Sequence, residues 1–304
     1  MRDDVRGYLA AALDQARRAG RLAGLQGGVD AFATALTGSD PLRRALTDSS
    51  VPAAQRRAVV LELLADRGSP EVAPVAAYVV TAERAGELPA VMAQVRVQVE
   101  DDLERANRGE EPPSEPAGGR AAVRERMEGY ADFVFAGVRN MSELDEIEDQ
   151  LFKVARLVES NRDLDAALGN PEVPLAARRG IVRDLLRGKV RAEAECLLEY
   201  LLRAGRVRSL VRTIDWLVEL VAVERGRRIA EVRSATDLDA AQRERLAAAL
   251  VQVAMRPVEL RVTVDPSVIG GMVVSLGDTI IDGTVQHRLA QLRDVLSPAG
   301  LPAA

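Results

Sequence analysis

Residues 257–289 read Pro-Val-Glu-Leu-Arg-Val-Thr-Val-Asp-Pro-Ser-Val-Ile-Gly-Gly-Met-Val-Val-Ser-Leu-Gly-Asp-Thr-Ile-Ile-Asp-Gly-Thr-Val-Gln-His-Arg-Leu. Val258, Leu260, Val262 and Val264 alternate with Glu259, Arg261 and Thr263, the period-two pattern of a strand with one buried face. Asp265-Pro266 stops that strand, because proline lacks a backbone donor and restricts the residue before it. Gly270-Gly271 permits a turn that a side chain would forbid. Met272, Val274 and Leu276 share one face of a second strand, Gly277-Asp278 has the composition of a two-residue hairpin turn, and Thr279–Ile281 is the return strand. Asp282-Gly283-Thr284 ends it and offers a cap to a helix on which Val285, Leu289, Leu292 and Leu296 recur at helical spacing. Just upstream, Arg227–Ser234 reads as a further strand and Ala240–Met255 as a helix capped by Asp239 and Gln242. Residues 226–304 are thus expected to form a small α/β domain with a short sheet.

The preceding two thirds of the chain read differently. Leu42, Ala45 and Leu46 match Leu164, Ala167 and Leu168, Val51-Pro52 matches Val173-Pro174, Arg56-Arg57 matches Arg178-Arg179, and Gly7-Tyr8 matches Gly129-Tyr130, all at an offset of 122. Arg84-Ala85-Gly86 matches Arg203-Ala204-Gly205 at 119, which predicts a connection three residues shorter in the second copy. A period this long is a duplicated domain, not a solenoid repeat. Each copy carries about six helical segments. They are expected near Val5–Arg18, Gly28–Thr37, Pro41–Thr47, Pro52–Ala65, Glu71–Ala85 and Leu88–Asn107, then near Arg124–Val138, Glu143–Glu159, Arg162–Leu168, Pro174–Leu186, Ala192–Ala204 and Ser209–Glu224. Asp40-Pro41 reads as a cap with proline in the first turn, and Ser142 with Asp145 as a capping-box variant. Within residues 109–121, Gly109–Gly119 carries no large apolar side chain and is rich in Pro, Gly and Glu, the composition of a flexible linker. The expected fold is mainly α: two tandem six-helix bundles, residues 1–108 and 122–225, joined by the linker and followed by the α/β domain.

The chain has 304 residues, a net charge of −5, 47% hydrophobic and 3% aromatic residues. Its length suggests two or three domains, and cores built from Ala, Leu and Val favour helix. The negative charge argues against nucleic acid as a partner. With a single cysteine, Cys196, no intrachain disulfide can form, and no apolar run has the length of a membrane span. The single histidine, His287, falls on the polar side of its helix without a partner acid in register. Cys196 shares a helical stripe with Leu197, Tyr200 and Leu201 and reads as a core thiol. The acids Glu143, Asp145, Glu146, Glu148 and Asp149 read as a solvated first turn, favourable to the helix dipole. Trp216 reads as core, while Arg56-Arg57 and Arg178-Arg179 read equally as partner contacts or as an exposed face. No catalytic, cofactor-binding or metal-binding constellation is expected.

The succession Gly270-Gly271, Gly277-Asp278 and Asp282-Gly283-Thr284 before an amphipathic helix resembles the C-terminal signature of the delta subunit of F-type ATP synthases, whose mitochondrial relative is the oligomycin-sensitivity-conferring protein. Residues 122–296 are similar to one whole delta subunit, with residues 1–108 as an extra copy of its helical bundle. The resemblance implies a non-catalytic peripheral-stalk subunit at the cytoplasmic face of the membrane, without insertion of its own. Its helical part would hold the N-termini of the alpha subunits, and its α/β domain the C-terminus of the b subunit. Residues 122–225 are the preferred alpha-binding copy, because a slack linker could not hold residues 1–108 stiffly. The other reading is a tandem helical adaptor in a regulatory complex, which co-purification with alpha and b chains would distinguish.

Overall fold

The computed structural model describes residues 1–284 apart from 66–67, 117, 171, 205–208, 255–257, 267, 269 and 277–278. Among the described residues the chain is mainly helical, with one small four-stranded sheet beyond residue 228. The first repeat supplies α1 (Asp3–Arg18), α2 (Leu22–Gly38), α3 (Asp40–Thr47), α4 (Ala53–Leu64), α5 (Val72–Ala82) and α6 (Leu88–Asn107). The second supplies α7 (Arg120–Ala136), α8 (Met141–Ser160), α9 (Arg162–Gly169), α10 (Leu175–Leu186), α11 (Ala192–Arg203) and α12 (Leu210–Arg227). Helix α2 begins at Leu22, ahead of the expected Gly28. Leu22 and Leu25 are both buried, and this apolar spacing sets the helix despite the glycines around it.

The caps repeat with the offset, one residue from where composition places the first of them. The Ser39 hydroxyl, not Asp40, accepts the Leu42 N–H at 3.4 Å, and Asn161 accepts the Leu164 N–H at 3.1 Å; each satisfies a donor the helix leaves unpaired. At the start of α8 the cap is Asn140 rather than Ser142. Its side chain accepts the Glu143 N–H at 3.0 Å, while Glu143 accepts the Arg139 N–H at 2.8 Å.

The buried positions carry the offset of 122 to the end of the repeat. Val72, Val75, Ala76, Val79 and Val80 of α5 correspond to Ala194, Leu197, Leu198, Leu201 and Leu202 of α11, and Leu88, Met92, Val95 and Val99 of α6 to Leu210, Ile214, Leu217 and Val221 of α12. The buried positions therefore keep the offset of 122 past the place where the sequence suggests a change to 119. The Arg-Ala-Gly match at 119 compares a short 3-10 turn, Ala85–Glu87, with the end of α11. Conserved spacing of the core therefore overrides a local match of three residues.

By compactness the chain divides into Met1–Gly137 with Asp149–Trp216, and Val138–Glu148 with Leu217–Ala304. Both repeats contribute to the first unit, so compactness does not separate residues 1–108 from 122–225. The second unit contains the sheet: β1 (Ile229–Ser234), the helix α13 (Ala240–Ala254), β2 (Glu259–Val264), β3 (Met272–Leu276) and β4 (Thr279–Asp282). Strand order is β2-β1-β3-β4, with β1 parallel to β2 and antiparallel to β3, and β3 antiparallel to β4. A parallel pair needs a crossover connection, and α13 supplies it. Its start is a reciprocal cap: Gln242 donates its N–H to Asp239 at 2.7 Å, and Asp239 donates to Gln242 at 2.9 Å.

Register aligns Val262, Val232, Val274 and Ile281 in one row across the sheet, and Leu260, Ala230, Leu276 and Thr279 in the next. Ala230, Val232, Val274 and Leu276 form the core with Leu238 and Leu250, and Leu246, Leu260, Val262 and Met272 pack against it. Each such aliphatic side chain removed from water stabilises the unit by roughly 1.5–3 kcal/mol. In the same unit Arg228, 1% exposed, donates to Glu224 at 2.9 Å and to the Val138 carbonyl at 2.9 Å. A guanidinium can be buried in this way only with its carboxylate and carbonyl partners in place.

Candidate functional site: the face between the repeats and the C-terminal turn

Two places concentrate the residues that the sequence marks. The first is where α1 meets α7. A methyl group built on Gly7 would overlap the Arg126 carbonyl oxygen, and one built on Gly129 would overlap the Asp4 carbonyl oxygen. These are equivalent contacts under the offset of 122, so the repeats meet about a local two-fold relation, as the halves of a symmetric dimer do. Only glycine lets two helix backbones approach so closely.

All four tyrosines of the chain lie in two equivalent stacks. Tyr8 lies on Tyr78 and Tyr130 lies on Tyr200, each with ring centroids 3.9 Å apart. Phe133 of α7 meets the Tyr8 ring edge-on at 5.1 Å, a favoured aromatic geometry.

Polar contacts then fix the face. Arg203 places two nitrogens on the Asp14 carboxylate at 2.9 and 3.1 Å, with side-chain exposures of 5% and 16%. The Tyr130 hydroxyl donates to the same carboxylate at 3.0 Å, and Tyr78 donates to Asp132 at 3.3 Å. Burial, with Asp14 beside it, raises the Tyr130 phenol well above its ordinary range. Burial alone would lower the Arg203 guanidinium; Asp14, Tyr130 and Glu115 together outweigh that and raise it.

Residues 109–121, expected as a flexible linker, are tied to both repeats. Glu111 pairs with Arg179 at 3.0 Å and with Arg183 at 3.1 Å. The Glu115 N–H donates to the Arg203 carbonyl at 2.9 Å, and buried Arg126 donates to the Pro116 carbonyl at 2.7 Å. From the first repeat, Arg17 donates to the Glu110 carbonyl at 2.9 Å. Composition alone cannot show partners for a polar segment; here arginines from α1, α7 and α10 supply them. The segment lines a cleft of about 880 Å³ with Arg17, Arg18, Arg179, Arg183 and Glu199. Burial would raise Glu199, but Arg183 and Arg179 outweigh it and hold the carboxylate below its ordinary range.

The first members of the two arginine pairs make equivalent bonds: buried Arg56 donates to the Leu46 carbonyl at 3.2 Å, and half-buried Arg178 to the Leu168 carbonyl at 3.4 Å. In the second pair Arg179 is the buried member, held by Glu111 and Glu199. Cys196 is half-buried beside Arg18, and burial pushes its thiol up to about 11. Trp216 is half-buried rather than core, under the Arg124 guanidinium at 4.9 Å. In the acidic run, Arg225 bridges Asp145 at 2.8 Å and Glu148 at 3.0 Å, and Lys153 pairs with Asp149 at 2.6 Å. His287 lies outside the described residues.

The second place is the C-terminal turn. Gly270 and Gly271 have φ of 67° and 83°, the left-handed region that side chains avoid. A side chain on Gly271 would also strike the Gly283 carbonyl oxygen. Gly283 donates its N–H to the Met272 carbonyl at 2.9 Å, and the Asp282 carboxylate accepts the Thr284 N–H at 2.9 Å. The Gly-Gly and Asp-Gly-Thr segments are thus brought together at the end of the β3–β4 pair. At its other end Leu276 pairs with Thr279, while Gly277 and Asp278, expected as the hairpin turn, lie outside the described residues.

A family model described as ATP synthase delta (OSCP) subunit matches the chain over residues 5–107 and 127–296. The chain belongs to that family. It has the duplicated form, the two matched stretches following the two repeats. It is 32% identical over 269 residues to the ATP synthase subunit delta of Parafrankia sp. (strain EAN1pec), covering 88% of this chain and 85% of that one. The subunit delta of Beutenbergia cavernae is 31% identical over 263 residues, 86% of this chain and 85% of its own length. That of Nocardia farcinica is 39% identical over 158 residues, 52% of this chain and 58% of its own length. The signature of residues 270–284 and the repeat both lie within the matched stretches.

The sequence reading missed the polar lock of the inter-repeat face, namely Asp14, Arg203, Asp132 and Glu111. Only Tyr78 and Tyr200 carried a signal, since they too stand 122 apart. Among the described residues, no group of His, Cys, Asp or Glu could hold a metal ion, and no helix is long and apolar enough to cross a membrane.

Proposed function

We propose that this chain is a peripheral-stalk, or stator, subunit of a proton-translocating F-type ATP synthase, non-catalytic itself. The observation that carries this is the family match across both repeats and the α/β unit. In this reading residues 1–108 and 122–225 are two tandem six-helix bundles joined by residues 109–121, and residues 226–304 are the α/β domain. The helical part binds the alpha-subunit N-termini as amphipathic helices in a groove. The α/β domain binds the C-terminus of the b subunit, and the chain thereby holds the catalytic head against rotor torque from the cytoplasmic face of the bacterial membrane. Gly270, Gly271, Gly277, Asp278, Asp282 and Gly283 serve as structural residues that shape the α/β domain. Ile280, 71% exposed on edge strand β4, offers that domain an apolar contact for a partner.

Preference for residues 122–225 as the alpha-binding copy requires a slack segment 109–121. The bonds of Glu111, Glu115 and Pro116 remove that premise, so the proposal gives alpha to residues 1–225 as a whole. Hydrogen exchange on the full chain tests the division. A peptide copying the alpha N-terminus should protect amides within residues 1–225, and one copying the b C-terminus amides within 226–304. Protection of the opposite regions, or of neither, contradicts it.

A further inference from the structure

The inter-repeat face is near-symmetric in shape and asymmetric in charge. Gly7 and Gly129, Tyr8 and Tyr130, and Tyr78 and Tyr200 exchange places under the offset of 122. By shape alone, α7 of one chain could meet α7 of a second copy as well as it meets α1. The charges break this equivalence. The counterpart of Asp14 is Ala136, and the counterpart of Asp132 is Ala10. Where a second copy's α7 replaced α1, Ala136 would stand at the place of Asp14 and Asp132 at that of Ala10. The incoming carboxylate would face Tyr200, as Asp132 faces Tyr78, and the two-nitrogen contact of Arg203 and the acceptor of the Tyr130 hydroxyl would be lost. Glu115 is the other acid near Arg203, and burial raises its own pKa, so it is a poor substitute. A buried charge deprived of its partner is strongly disfavoured.

We propose that the Asp14–Arg203 pair is the specificity element of this face: it admits a first repeat and rejects pairing of two second repeats from separate chains. The face is a recognition surface whose fitting partner is a first repeat, on the same chain or on a second copy. The pair specifies the partner in the way a single buried polar contact sets partner choice between helices.

Charge reversal in the full chain tests this without any other stalk component, so its outcome is independent of the proposed function. Asp14→Arg and Arg203→Asp each place like charges on the face within one chain. Mixed and refolded together, each first repeat finds its complementary charge on the other chain. The expected product is a 1:1 heterodimer by light scattering, with apparent affinity at least about a hundredfold tighter than self-association of either variant. The double variant Asp14→Arg/Arg203→Asp should be a monomer that recovers at least half of the lost thermal stability, the Tyr130 acceptor being absent. If a single variant does not fold alone, the mixture still reports, since only complementary pairing rescues it. A mixture that stays monomeric or insoluble, or a double variant no more stable than the singles, overturns the proposal.

Discussion

Replacement of Gly129 by alanine is the sharpest probe of how the two repeats are joined. The added methyl would lie more than about 1 Å inside the closest approach real methyl groups make to the Asp4 carbonyl oxygen. That oxygen belongs to the backbone of α1 and cannot rotate away, so the helices must separate. Separation loosens the contact of Phe133 with Tyr8 and the shared carboxylate of Asp14. Overpacking of this kind costs about 1–3 kcal/mol, and more where backbone meets backbone. Alanine offsets part of this by its helix propensity, about 1 kcal/mol better than glycine. The net expectation is a loss of about 2 kcal/mol, equivalent to a fall of roughly 4–8 °C in the melting temperature of a domain of this size. Gly27 provides an internal control, because nothing lies within 4 Å of a methyl group at that helical position. Gly27→Ala should raise stability by about 0.5–1 kcal/mol. Scanning calorimetry on both variants decides the matter. If Gly129→Ala is stabilised like Gly27→Ala, the close approach of α1 and α7 is refuted.

Gly271→Ala should destabilise the α/β unit by about 3 kcal/mol, combining a left-handed backbone with a clash against the Gly283 carbonyl; faster hydrogen exchange of β3 amides would register it. Asp239→Ala removes one side of the α13 cap and should cost about 1 kcal/mol in the unfolding of that unit. Glu115 has its carboxyl pKa raised by burial, so its charge disfavours the folded state at neutral pH. Glu115→Gln should therefore raise the melting temperature at pH 7, with the gain vanishing as pH falls below the unfolded carboxyl value of about 4.3. Glu199 has the opposite sign: its pKa is lowered by Arg183 and Arg179, so its stabilisation is present above the unfolded value and is lost as pH falls through the folded one. Glu199→Gln should lower the melting temperature at pH 7 and converge with the parent protein in acid.

Much of the fold was legible because it rests on periodicity. The alternation of Val258 through Val264 specified β2, and reciprocal side chains at Asp239 and Gln242 specified the start of α13. The repeat was legible from Leu42 to Leu64 and their counterparts, yet its continuation through α5 and α6 was hidden. There the core conserves burial rather than identity, as in Val75 against Leu197 or Met92 against Ile214. The parallel pairing of β1 with β2 was also not readable, since neither strand's own alternation names its neighbour. The joining of the repeats was misjudged for a physical reason. Residues 109–121 have the composition of a free linker, but their fixation comes from Arg17, Arg126, Arg179 and Arg183, which are distant in sequence. The inter-repeat face was invisible for the same cause: Asp14 and Arg203 look like ordinary helix-surface charges until α1 and α7 are packed together.

Recovery of the tagged full chain from its own cells, with identification of the proteins that accompany it, tests the stalk assignment most directly. The account predicts that the alpha and b subunits of an F-type ATP synthase are recovered with the chain in stoichiometric amounts. Recovery of the intact chain with neither of them would contradict it.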